Sequence, residues 1–258
     1  MDSQTLRDYQ APIDALSGRV ILVTGAGDGI GKALSLALAC HGATVVLLGR
    51  TLRKLEKVHD EIVASGGPAP ALAPLNLETA PAGEYDALVD SLQREYGRLD
   101  GLVHNAAILG TRAPVELYDV ATFGRVLHVN LTAAFALTHV CLPLLKASSD
   151  ASVVFTSSGV GRKGRAYWGA YAVSKFGIEG LSQVLADELE NDGQVRVNCL
   201  NPGAVRTALR AQAYPGENRD RLPLPETIVA PYIVLLVRAG RGVTGGSFDC
   251  QPPICTTP

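Results

Sequence analysis

Apolar residues along this chain fall into two alternating patterns, short unbroken runs and longer stretches in which they recur every three or four positions. Arg19–Thr24 reads Arg-Val-Ile-Leu-Val-Thr and Ala43–Leu48 reads Ala-Thr-Val-Val-Leu-Leu. Runs without in/out alternation predict strands covered on both faces in a parallel sheet. Further runs at Ala71–Leu75, Leu99–His104, Ser152–Thr156, Val195–Leu200 and Ser247–Cys250 complete a predicted set of seven. Helical periodicity fills the intervals at Ile30–Cys40, Leu52–Ser65, Glu84–Tyr96, Thr122–Ala147, Ala170–Asn191 and Pro225–Arg238. Strict strand–helix alternation predicts right-handed βαβ units. The expected architecture is α/β: a single-domain Rossmann fold over 1–258, with a doubly wound, mostly parallel seven-stranded sheet and helices on both faces. Residues 1–17 read as an N-terminal extension. Residues 206–224, polar and broken by Pro215, Gly216 and Pro223, read as an irregular substrate lid, mobile without cofactor. The Pro/Thr-rich tail 251–258 is expected on the surface or at a subunit contact.

Composition narrows the function classes. The 258 residues are 47% hydrophobic, enough for one sizeable core, and the net charge is −2 with Lys and Arg scattered, so no nucleic-acid face is expected. The first residues are polar, with no secretory signal pattern, and no apolar run of spanning length occurs, so neither export nor a membrane partner is expected. Five dispersed cysteines, Cys40, Cys141, Cys199, Cys250 and Cys255, without a C-x-x-C pair, read as reduced thiols of a cytoplasmic protein. The five histidines show no ligand spacing, so no metal site is expected, and no Gly-x-Ser-x-Gly marks a serine hydrolase.

The first strand runs directly into Thr24-Gly25-Ala26-Gly27-Asp28-Gly29-Ile30-Gly31. Glycines between a strand and a helix let the backbone bend sharply and approach a pyrophosphate, and the helix that follows directs free N–H groups and its positive dipole end at the phosphate. Because the string sits between the first strand and first helix of an alternating chain, it predicts a dinucleotide site. The second strand ends Leu48-Gly49-Arg50-Thr51, where an Arg can pair with a ribose 2′-phosphate. NADP(H) is therefore favoured, with NAD(H) the alternative; Asp28, in the same region, counts against a phosphate.

Tyr171-Ala-Val-Ser-Lys175 carries the chemistry. Phenol and ammonium at i and i+4 share a helix face, and a nearby cation stabilises a phenolate whose ordinary pKa is ~10. Tyr171 can then give a proton to a carbonyl oxygen or take one from an alcohol. Upstream, Thr156-Ser157-Ser158 closes the fifth strand, where ligand crevices of such sheets open. The spacing favours Ser158 over its rival Ser157 as the hydroxyl that holds the substrate oxygen.

These strings, with Asn105-Ala106-Ala107 after the fourth strand, Asn130 in a helix and Asn201-Pro202-Gly203-x3-Thr207 after the sixth strand, resemble the classical short-chain dehydrogenase/reductase family over nearly the whole chain, and within it the YciK-like bacterial oxidoreductases. The resemblance implies Tyr171 as catalytic acid/base, Lys175 holding the nicotinamide ribose and lowering the Tyr171 pKa, Ser158 polarising the substrate oxygen, and Asn130 supporting a water-linked proton path to Lys175. It implies cofactor contacts from Gly25, Asp28, Gly29, Ile30, Gly31 and Arg50, from Asn76 and Leu77 near the adenine, and from Asn105 and Ala106. At the nicotinamide end it implies Pro202, Gly203, Val205 and Thr207. Ala107, where the family commonly has Gly, and Asn76, where it often has Asp, are departures.

Outside those strings, Tyr167 reads as pocket lining, and the stretch Arg162 to Trp168 as a solvated loop, with a pocket wall for a flat or anionic substrate as the sharper alternative. Phe135, Leu137, Val140, Leu144 and Leu185 exceed what one sheet face can cover, so a homodimer or homotetramer built on the helices after Asn130 and Ala170 is expected. The functional expectation is hydride transfer between NADP(H) and a small carbonyl or alcohol. The alternative is a catalytically silent NADP(H)-binding regulator of the same fold. A methyltransferase would account for the glycine turn but not for Tyr171 and Lys175.

Overall fold

The structure, a computed structural model, describes residues 1–191 and 193–252. Seven strands form one sheet: β1 (Val20–Thr24), β2 (Thr44–Gly49), β3 (Ala71–Pro74), β4 (Gly101–His104), β5 (Ala151–Thr156), β6 (Val195–Asn201) and β7 (Ser247–Asp249). Their order is β3-β2-β1-β4-β5-β6-β7, and every neighbouring pair is parallel. The unbroken apolar runs have the predicted cause. In β1, Ile21 and Val23 enter a core formed with α2 (Gly29–Cys40), α3 (Leu52–Ala64) and α9 (Ala230–Leu236). Val20 and Leu22 enter a second core on the opposite face, formed with α4 (Ala82–Tyr96), α6 (Ala133–Lys146) and α7 (Gly169–Leu189). Burial on both faces is what lets a strand be apolar at every position.

The structure refines the reading of three segments. The N-terminal extension 1–17 packs on the domain: α1 (Ser3–Asp8) buries Leu6 completely against the first core, and Ser3 and Arg7 hydrogen-bond β7 and Gln251. The segment 206–224 contains a regular helix, α8 (Ala208–Ala213), capped by the Thr207 hydroxyl. The single helix expected over Thr122–Ala147 is α5 (Val120–Leu127) and α6 joined by a π-turn at His128–Thr132. That continuous stretch, 120–146, has the length and hydropathy to cross a bilayer. Its apolar residues Ala133, Leu137, Cys141 and Leu144 are instead buried in the second core, where a helix covering a sheet belongs.

The residues expected to form a subunit surface are largely spent inside the chain. Leu137, Leu144 and Leu185 are buried, and of the named set only Phe135 is strongly exposed. The exposed apolar residues of α7 are Val173, Phe176 and Val184. A long helix whose one face covers a sheet and whose N-terminal half also walls a cleft has no simple amphipathic stripe, so periodicity misassigned these positions.

Candidate active site

β1 and β4 are adjacent in the sheet, although the chain leaves β1 toward β2 and β3 on one side and returns to β4 on the other, and this reversal opens a crevice at the strand ends. A cleft of about 820 Å³ lies there. It is lined at one end by Asn76, Leu77 and Arg50, in the middle by Gly25, Asp28, Gly29, Ile30, Asn105 and Ala106, and at the other by Ser158, Tyr171, Lys175, Pro202, Gly203, Val205 and Thr207. Two residues of the expected site do not line it. Gly31 acts by packing: a Cβ there would stand 2.2 Å from the Gly25 carbonyl oxygen and 2.6 Å from Asn105 Nδ2. Asn130 is buried in the π-turn, where its Oδ1 accepts from Ile108 N at 2.8 Å and its Nδ2 donates to Ile108 O at 2.9 Å and to Ser174 Oγ at 3.0 Å. It therefore braces the loop after β4 against α7, and no direct hydrogen bond joins it to Lys175.

The glycine turn has the conformation its chemistry needs. Gly25 and Gly29 have φ of +68° and +51°, a region costly for residues with a Cβ. Thr24 Oγ1 accepts N–H bonds from Asn105 and Ala106 at 2.9 and 3.0 Å, and Asn105 Nδ2 donates to Thr24 O at 3.1 Å, which ties β1 to the loop after β4. Asp28 caps α2 by accepting from Gly29 N at 2.8 Å. Its other oxygen pairs with Lys54 Nζ at 2.5 Å, and this bond leads the interactions that hold its carboxyl below the usual range. The objection to a phosphate beside Asp28 is thereby weakened, because Lys54 pairs with that carboxylate and Arg50 lines the adjoining end of the cleft. Lys54 was not singled out from sequence, as nothing local marks it as the partner of a residue one βα unit earlier. Glu78 and Arg125, paired at 3.3 Å, add to the adenine-end lining and were missed for the same reason.

At the other end, Ser158 and Tyr171 meet, and Lys175 Nζ lies 5.6 Å from the Tyr171 ring centroid. Burial pushes the Tyr171 phenol up to about 12, against the downward pull of a hydrogen bond from Ser158. Burial likewise lowers Lys175 to about 8, with Cys199 and Glu179 acting in the opposite sense. The phenol is therefore not lowered as the sequence predicts from Lys175: burial raises it, and Ser158 supplies the opposing pull. Ser157 is not the substrate-facing rival: its hydroxyl turns into the protein and donates to Glu179 Oε1 at 2.5 Å.

Beyond Tyr171 the walls are Leu109, Trp168, Leu209 and Ala213. Tyr167, expected to line the pocket, is 55% exposed with φ of +71°; the backbone turns it outward and sets the next residue, Trp168, against Tyr171. The stretch 162–167 is exposed, as the solvated-loop reading has it, but Arg162 is also tied down by ion pairs with Glu179 and Asp249. Arg112 closes the outer rim by donating to the Ala213 carbonyl, with its guanidinium 5.0 and 5.1 Å from the Trp168 and Tyr214 ring centroids. Gln251, placed in a surface tail by the sequence, donates to Pro202 O at 2.7 Å and Ala204 O at 2.9 Å, which fixes the turn after β6. The rest of that tail, 253–258 with Cys255, lies outside the described residues.

A parallel sheet with a glycine cradle at its topological switch and a Ser/Tyr/Lys group at one end of the same cleft defines a class, and the short chain dehydrogenase family model matches residues 19–218. The chain belongs to the short-chain dehydrogenase/reductase family of oxidoreductases. It is similar to the oxidoreductase YciK of Escherichia coli K12, at 46% identity over 95% of this chain and 96% of that protein. It is similar to a short chain dehydrogenase of Escherichia coli CFT073 solved in complex with NADPH, at 46% identity, a TM-score of 0.91 and coverage of 93% and 100% of the two chains. Cyclohexanol dehydrogenase of Acinetobacter sp. strain SE19 is 34% identical over 90% of this chain and 93% of its own length.

Proposed function

We propose that this protein transfers a hydride between NADP(H) and a small, uncharged carbonyl or alcohol, with Tyr171 handling the proton. The observation that carries this reading is the meeting of Ser158, Tyr171 and Lys175 at one end of a cleft whose middle is a glycine cradle. The cradle fits a dinucleotide: Gly25 and Gly29 take left-handed φ values and put no Cβ in the way of a pyrophosphate, and Gly31 admits no Cβ. Arg50 would hold a 2′-phosphate beside the paired Asp28, Asn76 and Leu77 the adenine, and Lys175 the nicotinamide ribose. The NADPH complex of the Escherichia coli CFT073 relative supports the phosphorylated cofactor. When bound, the nicotinamide supplies or accepts the hydride.

This chain's residues do the rest. A phenol raised to about 12 keeps its proton at neutral pH and is poised as an acid toward a carbonyl oxygen. Ser158 donates a hydrogen bond to that oxygen or to the phenolate left behind, and the Lys175 ammonium stabilises the same anion. Leu109, Trp168, Leu209 and Ala213 exclude water and receive the apolar remainder of the substrate, and Arg210, a further charged side chain at that end, is matched by Glu217 at 2.5 Å. An apolar pocket suits a cyclic ketone or alcohol, a class to which the substrate of the Acinetobacter relative belongs. Binding is ordered, with cofactor first, because the substrate end is walled partly by the turn that the cofactor contacts. The protein acts in the cytoplasm as a homodimer or homotetramer, with Phe135, Val173, Phe176 and Val184 as the contact surface.

Initial rates of NADPH consumption with a panel of cyclic ketones test the reading. Turnover with at least one member is expected. Tight NADPH binding with no consumption across the panel would favour the silent regulator instead.

A further inference from the structure

One buried acid has no part in the mechanism above. Glu179 is 8% exposed and lies one helical turn after Lys175 on α7, so the two share a face. Its Oε1 accepts from Ser157 Oγ at 2.5 Å and from Arg162 Nε at 3.3 Å, and its Oε2 accepts from Ser247 Oγ at 2.6 Å. Ser157 is the direct neighbour of Ser158. Arg162 continues the network by binding both carboxylate oxygens of Asp249 at 3.0 and 3.1 Å and the Phe248 carbonyl at 2.8 Å. Asp249 accepts from Asn201 Nδ2 at 2.7 Å, and Asn201 Oδ1 accepts from Gly203 N at 3.1 Å. A single carboxylate thus ties α7 to the turn after β5, and through Arg162 to the edge strand and the turn after β6.

The fit leaves little slack. A Cβ on Gly161 would stand 2.8 Å from Lys175 Cβ and 2.9 Å from its carbonyl, so the turn carrying Ser158 is packed directly on the backbone of the lysine. Burying a carboxylate is costly unless it is paired, and this one has a cation and two hydroxyls. We propose that Glu179 is a positioning residue of the active site: it holds Ser158 and Lys175 in register and is the anion that keeps the buried Lys175 charged.

The groups facing Lys175 support the assignment. On α7 they are Tyr171 and Glu179, on β6 Cys199 and on β4 His104, with Arg162 beyond Glu179. Burial pushes Tyr171 and Cys199 up to about 12 and His104 down to about 3, so all three are uncharged at neutral pH. Glu179 is left as the anion opposing the desolvation of the ammonium. The part played in turnover rests on the proposed function; the electrostatic part does not.

Competitive acetylation with acetic anhydride, read peptide by peptide by mass spectrometry across pH 6–11, measures the Lys175 midpoint without any substrate. Glu179→Gln, which keeps the shape and loses the charge, should lower that midpoint by about one pH unit. Arg162→Gln, which removes the cation sharing the carboxylate, should raise it, and it serves as the independent arm if Glu179→Gln does not fold. A merely structural role would move both variants the same way or neither. Unmoved or parallel midpoints overturn the proposal. In the wild type, NADPH should slow acetylation of Lys175; if it does not while the midpoints move as stated, the cofactor reading fails and the Glu179–Lys175 coupling stands.

Discussion

The Lys175 ammonium faces the Tyr171 ring from 5.6 Å while donating at 2.7 Å to the Thr156 carbonyl at the end of β5. Anchored to the sheet, the cation is shared by strand and helix and is not committed to the phenol oxygen. That placement leaves Ser158 as the hydrogen-bond partner of the phenol, with the ammonium acting on it through space.

Removing the phenol oxygen should separate chemistry from binding. Tyr171→Phe keeps the ring against Trp168, whose centroid is 5.8 Å away, and deletes the proton carrier. Turnover should drop by roughly 10²–10⁴-fold, the usual contribution of a positioned acid/base, with NADPH affinity within about twofold in a fluorescence titration. Wild-type rates in this variant would sink the mechanism.

Lys175 should cost stability at neutral pH. Its pKa falls from 10.5 unfolded to about 8 folded through burial, so between those values the unfolded chain binds more protons than the folded one. Stability then rises with pH across that window and is lost as pH falls through 8. Comparing wild type with Lys175→Met in urea melts isolates the effect, since other groups titrate alike in both. The difference should move in favour of wild type by on the order of 3 kcal/mol from pH 7 to 10.5. A pH-independent difference would mean that the folded-state pKa is not depressed.

Much of this site was legible in the sequence because its parts are local. Gly25 to Gly31 and Tyr171 to Lys175 each lie within one turn and the start of a helix, or within one helical turn, so spacing alone carries their geometry. What escaped notice depends on strand order. Lys54 meets Asp28 only because β1 and β2 are parallel neighbours, Gln251 reaches Pro202 only because β7 pairs with β6, and Glu179 meets Arg162 across a turn. Tyr167 turns out of the pocket that Trp168 walls, and the positive φ at a non-glycine residue that does this has no sequence signal. The π-turn that buries Asn130 inside an otherwise regular apolar periodicity has none either.

Cofactor choice should depend on Arg50. The side chain lines the adenosine end next to an Asp28 already paired with Lys54. Arg50→Ala should weaken NADPH by about tenfold to a hundredfold, as loss of a charge-assisted contact of roughly 1.5–3 kcal/mol requires, and leave NADH nearly unchanged. Isothermal titration with both cofactors decides it, and equal losses would place the 2′-phosphate elsewhere.

The exposed apolar residues of α6 and α7 give a test of assembly. Phe135 and Val184 are 54% and 57% exposed. Light scattering should give a mass at least twice the 27.1 kDa of one chain, and the Phe135→Glu/Val184→Glu double variant should return toward the single-chain value. A wild type that runs as one chain at micromolar concentration would defeat the proposal.

Arg112 should govern the substrate end without touching the cofactor. It donates to the last carbonyl of α8 and lies over Trp168 and Tyr214, while Arg165 donates to the Tyr214 hydroxyl at 2.9 Å and Arg210 sits 3.9 Å over the same ring. The segment 206–224 is therefore held at its helical end by Arg112 and Arg165, through two hydrogen bonds and one cation–π contact worth about 0.5–1 kcal/mol when exposed. Contacts that weak permit opening on the timescale of hydrogen exchange. NADPH should slow amide exchange in 206–224, because Val205 and Thr207, where the segment begins, line the cofactor cleft. Arg112→Ala should speed exchange there and raise KM for the carbonyl substrate several-fold, with the NADPH dissociation constant unchanged. Equal exchange with and without NADPH would show that the segment is a fixed wall, and a parallel loss of NADPH affinity in Arg112→Ala would place the latch on the cofactor instead.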